Sequence, residues 1–317
     1  MLKKILLKLT TSIIKILQPI LFSFLVFFKV NRRVINYLSE KSFFSNNKYN
    51  FFELISSQLD EKKIISLDIG AQGGFNSDKF FPDKYNKFFN PILVEPLREE
   101  ADKLKSNNKH VIDKGIWSEK VKKKIYVLGN RLGSSSMYAP DPSFFNVHKI
   151  KKKNYSDYNV TKVLEVECDN ISNSLNELKI ENLDYLKIDT QGSEFEILKG
   201  IGNYRPLLIK IEVHLYSMYK SAPGWDKLIS YLYDLGYMIV DWKGIGSHAT
   251  RTPAEMDMVF IPNFNSSFGK KLITANKEKF ISLMLIFGQI NLLKIISEKY
   301  HFKDSDEIQM IEDRYFN

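Results

Sequence analysis

Between Ile64 and Ile261 short runs of β-branched and apolar residues recur, separated by stretches with helical spacing. Runs of this kind belong to a largely parallel sheet covered by helices on both faces. The predicted strands are Ile64–Ile69, Pro91–Glu95, His110–Ile116, Lys124–Leu128, Val163–Val166, Tyr185–Asp189, Leu207–His214, Met238–Trp242 and Met256–Ile261. Asp169–Leu178 and Trp225–Leu235 read as helices, the first capped by Asp169 and the second stopped by Gly236. No internal repeat or long Pro/Gly/Ser linker interrupts the pattern, so residues 61–265 read as one α/β domain with additions at 1–60 and 266–317.

The chemistry-bearing residues cluster where these runs end. Ile64-Ile-Ser-Leu-Asp-Ile-Gly-Ala-Gln-Gly-Gly74 is a strand entering a loop that contains Gly70, Ala71, Gly73 and Gly74. Small residues there let the backbone turn tightly against a ligand over the carboxyl end of the strand. Asp68, just before the turn, would repel a pyrophosphate but attract the cationic end of S-adenosylmethionine. Ile92-Leu-Val-Glu-Pro96 ends the next strand on Glu95, which can accept hydrogen bonds from ribose hydroxyls or simply cap the following helix. Leu183–Gly200 delivers Asp189 to the sheet edge, turns at Gly192 and opens a helix at Glu194. Ile209-Lys-Ile-Glu-Val-His214 places Glu212 and His214 on one face by period two, where they could share a pocket with Asp189. Gly133-Ser-Ser-Ser136 offers hydroxyls and amides to a sugar or phosphate, with a plain surface loop as the alternative.

Taken together, Leu-Asp-Ile-Gly-Ala at 67–71, Val-Glu-Pro at 94–96, Leu-Lys-Ile-Asp-Thr-Gln-Gly-Ser-Glu at 186–194 and Ile-Glu-Val-His at 211–214 resemble the FkbM family of methyltransferases, over Ile64–Pro262. The resemblance implies a class I methyltransferase (Rossmann-like) doubly wound sheet, mostly parallel with an antiparallel edge strand. It also implies S-adenosylmethionine as donor and O-methylation of a sugar or polyketide-like hydroxyl. Asp68, Gly70, Ala71, Gly73, Glu95 and Pro96 are then the expected cofactor-binding residues, Asp189, Glu212 and His214 the catalytic candidates, and Gln191, Glu194 and Ser135 the substrate-binding ones. Gln72 and Gln191 depart from the asparagine and glutamate that the family often carries there. The loss of an acid at 191 leaves a second reading open, an inactive binding or scaffold protein on the same fold. A third, a nicotinamide-dependent oxidoreductase, is disfavoured by Asp68 and by the lack of a separate substrate domain.

Composition bounds the setting. With 317 residues and 44% hydrophobic content the chain can build a large core. Its one cysteine, Cys168, cannot form an intramolecular disulfide, which fits a reducing, cytoplasmic compartment. The net charge of +9 would suit nucleic acid or anionic lipid. However, the basic clusters Lys120–Lys124 and Lys149–Lys153 lack interleaved arginine and aromatic residues, so a solvated surface is expected and no nucleic-acid partner. Asp189, Glu212 and His214 could in principle take a divalent metal, but paired His/Cys spacing is missing, so no metal is expected. At the N-terminus, Lys3, Lys4, Lys8 and Lys15 flank the apolar run Ile16–Phe28, broken by Gln18 and Pro19. That is short of the ~20 apolar residues of a spanning helix, and no small-residue cleavage site follows. Residues 1–30 are therefore expected to lie as an interfacial helix on a membrane surface, the peripheral inner face in a cell, with a helix packed on the protein's own body as the alternative. The tail Lys270–Tyr300 has helical periodicity through Leu283, Ile286, Phe287, Ile290 and Leu293, expected to pack on the domain or a partner.

Overall fold

The recurring apolar runs form strands, but in two sheets rather than one. The computed structural model describes residues 51–147, 150–245 and 255–302, which fall within one unit, Phe51–Asp313. The N-terminal segment expected at a membrane surface lies outside the described residues. The strands are β1 (Ile64–Ile69), β2 (Phe89–Val94), β3 (His110–Ile112), β4 (Gly115–Ile116), β5 (Val121–Leu128), β6 (Val160–Asp169), β7 (Tyr185–Ile188), β8 (Leu208–His214), β9 (Tyr237–Ile245) and β10 (Glu255–Pro262). Seven of them make the main sheet in the order β3-β2-β1-β7-β8-β10-β9. Pairing is parallel from β3 through β8, and β10 runs antiparallel between β8 and β9. This is the mostly parallel, Rossmann-like α/β sheet with antiparallel pairing at one edge that the sequence implied.

The second sheet, β4-β6-β5, corrects two boundaries. His110–Ile116 is not one strand: it breaks at Asp113-Lys114, so that β3 pairs with β2 while β4 pairs with β6. The cap of the helix Ile171–Glu177 is Asn170, whose side chain accepts from Asn173 N, whereas Asp169 is the last residue of β6. Its Oδ1 accepts from Asn170 N at 2.8 Å and from Asn173 Nδ2 at 2.9 Å.

The two faces of the main sheet differ in kind. On one, Leu67, Ile69, Leu186, Ile188, Ile209, Ile211, Met258 and Phe260 pack against Ile171, Leu175, Ile197, Leu198, Leu228 and Leu232 of three helices, forming the main core. On the other, period-two alternation turns Asp68, Lys187, Lys210 and Asp257 inward, all buried. Adjacent strands put Asp68 beside Lys187 and Lys187 beside Lys210. The charges pair off: Lys187 Nζ lies 3.0 Å from Asp68 Oδ1, and Lys210 Nζ lies 2.7 Å from Asp78 Oδ2 and 2.6 Å from Asp257 Oδ1. Such pairs contribute little net stability, because desolvation offsets attraction, but removing one partner leaves an uncompensated buried charge. Asp78 belongs to the loop after β1, so Lys210 ties that loop to the sheet.

The tail folds as three helices, Ser267–Ala275, Lys277–Ile286 and Ile290–Tyr300, separated at Asn276 and around Gly288. The middle helix is buried from Phe280 to Ile286 and packs on the helix Phe52–Leu59. Phe287 meets Tyr185 edge-on and Phe81 at a tilt, and Lys279 Nζ reaches Asp184 Oδ2 at 2.6 Å, so the tail covers the charged side of the sheet. Among the described residues, no helix is long and apolar enough to cross a membrane.

Candidate active site

The chain order reverses at β1, with β2 on one side and β7 on the other. Ligands of open α/β sheets bind in the crevice outside the strand carboxyl ends at such a switch point. Three strand ends meet there. Gly70 N and Ala71 N donate to Val94 O at 3.2 and 3.1 Å, Glu95 N donates to Ile112 O at 3.1 Å, and Asp189 N donates to Ile69 O at 2.9 Å. Gly70 is obligatory: its φ is +84°, and a Cβ would sit 1.9 Å from Asp189 O. The cleft so formed is lined by Gly70, Gln72, Glu95, Pro96, Ile116, Leu132, Ser135, Asp189 and Gln191, among others. Its far wall comes from the second sheet and the loop after β5, which sequence reading did not separate from the main domain.

Glu95 lines the cleft, with Oε1 accepting from Leu97 N at 2.9 Å. Burial pushes its carboxyl up to about 7, although the Leu97 amide acts in the opposite direction. Asp189 also lines the cleft, its side chain 23% exposed. Gln191 Nε2 donates to Asp189 Oδ1 at 3.2 Å and to Glu212 Oε2 at 2.7 Å. Burial first, and then the neighbouring Asp189 and Glu255 charges, push the Glu212 carboxyl well above the usual carboxylate range. Glu212 lies behind the carboxylate that faces the cleft, joined to it through the Gln191 amide. The sequence-based concern that Gln191 is a lost acid has a physical answer. With two carboxyls already within its reach, position 191 supplies the donor that lets them sit together.

The other expected residues lie as follows. Asp68 is not in the cleft lining; it is buried beneath it, paired with Lys187, and burial pushes its carboxyl up despite that lysine. Lys187 lies 3.8 Å from Asp189 Oδ2 as well, so the pair forms the floor under the catalytic candidate. Ala71 is fully buried, and Gly73 shapes the turn at φ +82° outside the lining, whereas Pro96 and Ser135 line the cleft. Ser135 Oγ also accepts from Leu128 N at 3.2 Å. The carboxylate of Glu194 is turned into its own turn, accepting from Gly192 N, Thr190 N and Thr190 Oγ1, each at 3.0 Å. It holds the loop that carries Asp189 and Gln191. His214 is separated from the cleft: it borders a different cavity with Gly192, Phe195 and Trp225. Its Nε2, 3.7 Å from Glu255 Oε1, has no hydrogen-bond partner among the described residues. Among those residues no group of His, Cys, Asp and Glu is arranged to hold a metal ion.

Tyr219, which no local motif flagged, is buried with its hydroxyl 2.9 Å from Gln191 Oε1 and 2.8 Å from Ser134 O. Ser136 Oγ donates to Gln191 O at 2.6 Å, joining the loop after β5 to the same turn.

Residues 68–239 match the family described as Methyltransferase FkbM domain. No curated protein matches the chain. The match spans more than half of the sequence and runs from the glycine turn after β1 to β9, enclosing Glu95, Asp189, Gln191 and Glu212. With the strand order and the cleft at its switch point, it makes this chain a member of the FkbM methyltransferase family.

Proposed function

We propose that the protein is an S-adenosylmethionine-dependent O-methyltransferase that acts on a sugar hydroxyl of a surface glycan or of its lipid-linked precursor. The observation that carries this reading is the switch-point cleft whose lining includes both Glu95 and Asp189, each just past the end of its strand. The residues present fit the cofactor. Glu95 has one oxygen held by Leu97 N and no hydrogen bond to the other among the described residues, which leaves an acceptor for the hydroxyls of a ribose diol. Gly70 lets the turn pass close against Asp189, and Ile116, Val94 and Leu97 offer apolar walls to a purine. S-Adenosylmethionine supplies, when bound, a methyl group on a cationic sulfur that an oxygen nucleophile can displace in line.

The chain's own task is then alignment and proton removal. Asp189 accepts the acceptor hydroxyl proton on its carboxylate, Gln191 and Glu212 hold that carboxylate in place, and Ser135 and Gln191 line the acceptor side. Lys187 beneath Asp189 balances its charge. In this reading the enzyme works in the cytoplasm, at the inner face of the membrane through residues 1–30. The test is transfer of labelled methyl from S-adenosylmethionine into a glycan-containing extract. Transfer that depends on Asp189 supports the reading, while cofactor binding without transfer to any fraction favours a scaffold role.

A further inference from the structure

We propose that Tyr219 is a positioning residue of the methyl-transfer site: its hydroxyl fixes which way round the Gln191 amide lies, and the amide in turn orients the Asp189 carboxylate. The inference rests on the cofactor reading above and concerns a residue outside the cleft lining.

The geometry leaves the amide one arrangement. Gln191 sits at φ +62°, a left-handed conformation that a non-glycine residue keeps only when its surroundings hold it there. Its backbone carbonyl accepts from Ser136 Oγ, its Oε1 faces the Tyr219 hydroxyl at 2.9 Å, and its Nε2 faces two carboxyls. A side-chain amide has two donors on nitrogen and an acceptor on oxygen, and the two ends are of similar size. Turned over, the amide would set Oε1 against the Asp189 and Glu212 carboxyls and its N–H groups against the phenol. The phenolic proton, shared between Gln191 Oε1 and Ser134 O, favours the orientation observed. Tyr219 is a permanent donor in this role, because burial, and then the Glu255, Glu194 and Glu212 charges, hold its hydroxyl well above the usual tyrosine range.

The backbone explains how the phenol gets there. Tyr219 lies in the loop after β8, bridged antiparallel to Pro140 in the segment after β5. Lys220 N donates to Ala139 O and Asp141 N donates to Met218 O, both at 2.8 Å. The same phenol thus joins three loops at one point: the one after β5 through Ser134 O, the Asp189 turn through Gln191, and its own. A tyrosine with a purely packing role would need neither acceptor.

The test uses two ligands that differ in the charge on sulfur, S-adenosylmethionine and S-adenosylhomocysteine, titrated by calorimetry into wild type, Tyr219→Phe, Gln191→Met and Asp189→Asn. A packing defect weakens both ligands together, whereas a misdirected Asp189 weakens the cationic one selectively. For Tyr219→Phe and Gln191→Met the expected result is homocysteine-ligand affinity within roughly three-fold of wild type and a relative preference for the sulfonium reduced by roughly five-fold or more, as displacement of a nearby carboxylate requires. Wild-type preference in both folded variants overturns the proposal, and Gln191→Met alone decides it should Tyr219→Phe not fold. Unchanged preference in Asp189→Asn overturns it too, because Asp189 would then not face the sulfonium, and leaves the cofactor reading standing. Failure of wild type to bind either ligand overturns both.

Discussion

Glu95→Gln separates what the cofactor site needs from what the fold tolerates. In the free protein, burial holds the Glu95 carboxyl near 7 against 4.5 in an unfolded chain. Ionising it at pH 8 therefore disfavours the folded state by at most about 3.5 kcal/mol, at about 1.4 kcal/mol per pH unit. The sign is that of a carboxyl raised on folding: no penalty below pH 4.5, a growing one between 4.5 and 7, and a constant one above. Glutamine carries no charge and keeps the acceptor for Leu97 N. The variant should then match wild type in urea unfolding at pH 4.5 and exceed it at pH 8. Cofactor binding should move the opposite way, because ribose hydroxyls favour the carboxylate. Wild-type affinity for S-adenosylhomocysteine should rise about tenfold per pH unit up to about pH 7 and level off above it, with proton release on the acidic side. In Glu95→Gln that dependence should vanish, and affinity at pH 8 should fall by roughly 1.5 to 3 kcal/mol for a lost charge-assisted pair. A flat wild-type profile between pH 5.5 and 8, or a variant that binds equally well at pH 8, would refute the assignment of Glu95 to the ribose.

Three further outcomes follow from the same geometry. Asp189→Asn should lower methyl transfer by about two to four orders of magnitude with homocysteine-ligand affinity within a few fold; His214→Ala should leave transfer largely intact, and the reverse pattern in single-turnover assays would move the base to the histidine. Asp68→Ala strips Lys187 of its closest partner and should cost about 3 to 5 kcal/mol in denaturant unfolding; a large loss of cofactor affinity with unchanged stability would instead restore Asp68 to the cleft. Residues 1–30 should hold the protein on anionic vesicles in a way that high salt weakens, and cosedimentation that resists both salt and carbonate would contradict surface binding.

Much of the fold was legible because it depends on local pattern. β-Branched runs alternating with helical stretches call for a helix-covered parallel sheet whichever way the strands are ordered, and each of β1, β2, β7 and β8 appears within a residue or two of its predicted bounds. The second sheet was not legible. His110–Ile116 is apolar on both sides of Asp113-Lys114, so nothing local says that β3 and β4 part company to pair with strands far apart in the chain. The helix cap moved by one residue for a related reason, since Asp169 and Asn170 are equally good caps and only the length of β6 chooses between them.

At the site, the sequence by itself determined which residues stand at strand ends: an acid or glycine that closes an apolar run must reach the carboxyl edge of the sheet, which is why Gly70, Glu95 and Asp189 meet. Tertiary structure decided which way their side chains face and what they touch. Asp68 precedes the glycine turn as Glu95 precedes its proline, yet strand pairing sets Asp68 against Lys187 and sends it under the sheet. Glu212 and His214 share a face by alternation, but the turn at Gln191 reaches the first, while Glu194, folded back on that same turn, and Trp225 border the cavity of the second. Tyr219 carries no signal at all in its own segment, because its partners Gln191 and Ser134 lie 28 and 85 residues away and become neighbours only when three loops close over the sheet. Period-two alternation is a local property of one strand; the partner across from a side chain is fixed by register and loop closure, which no window of sequence contains.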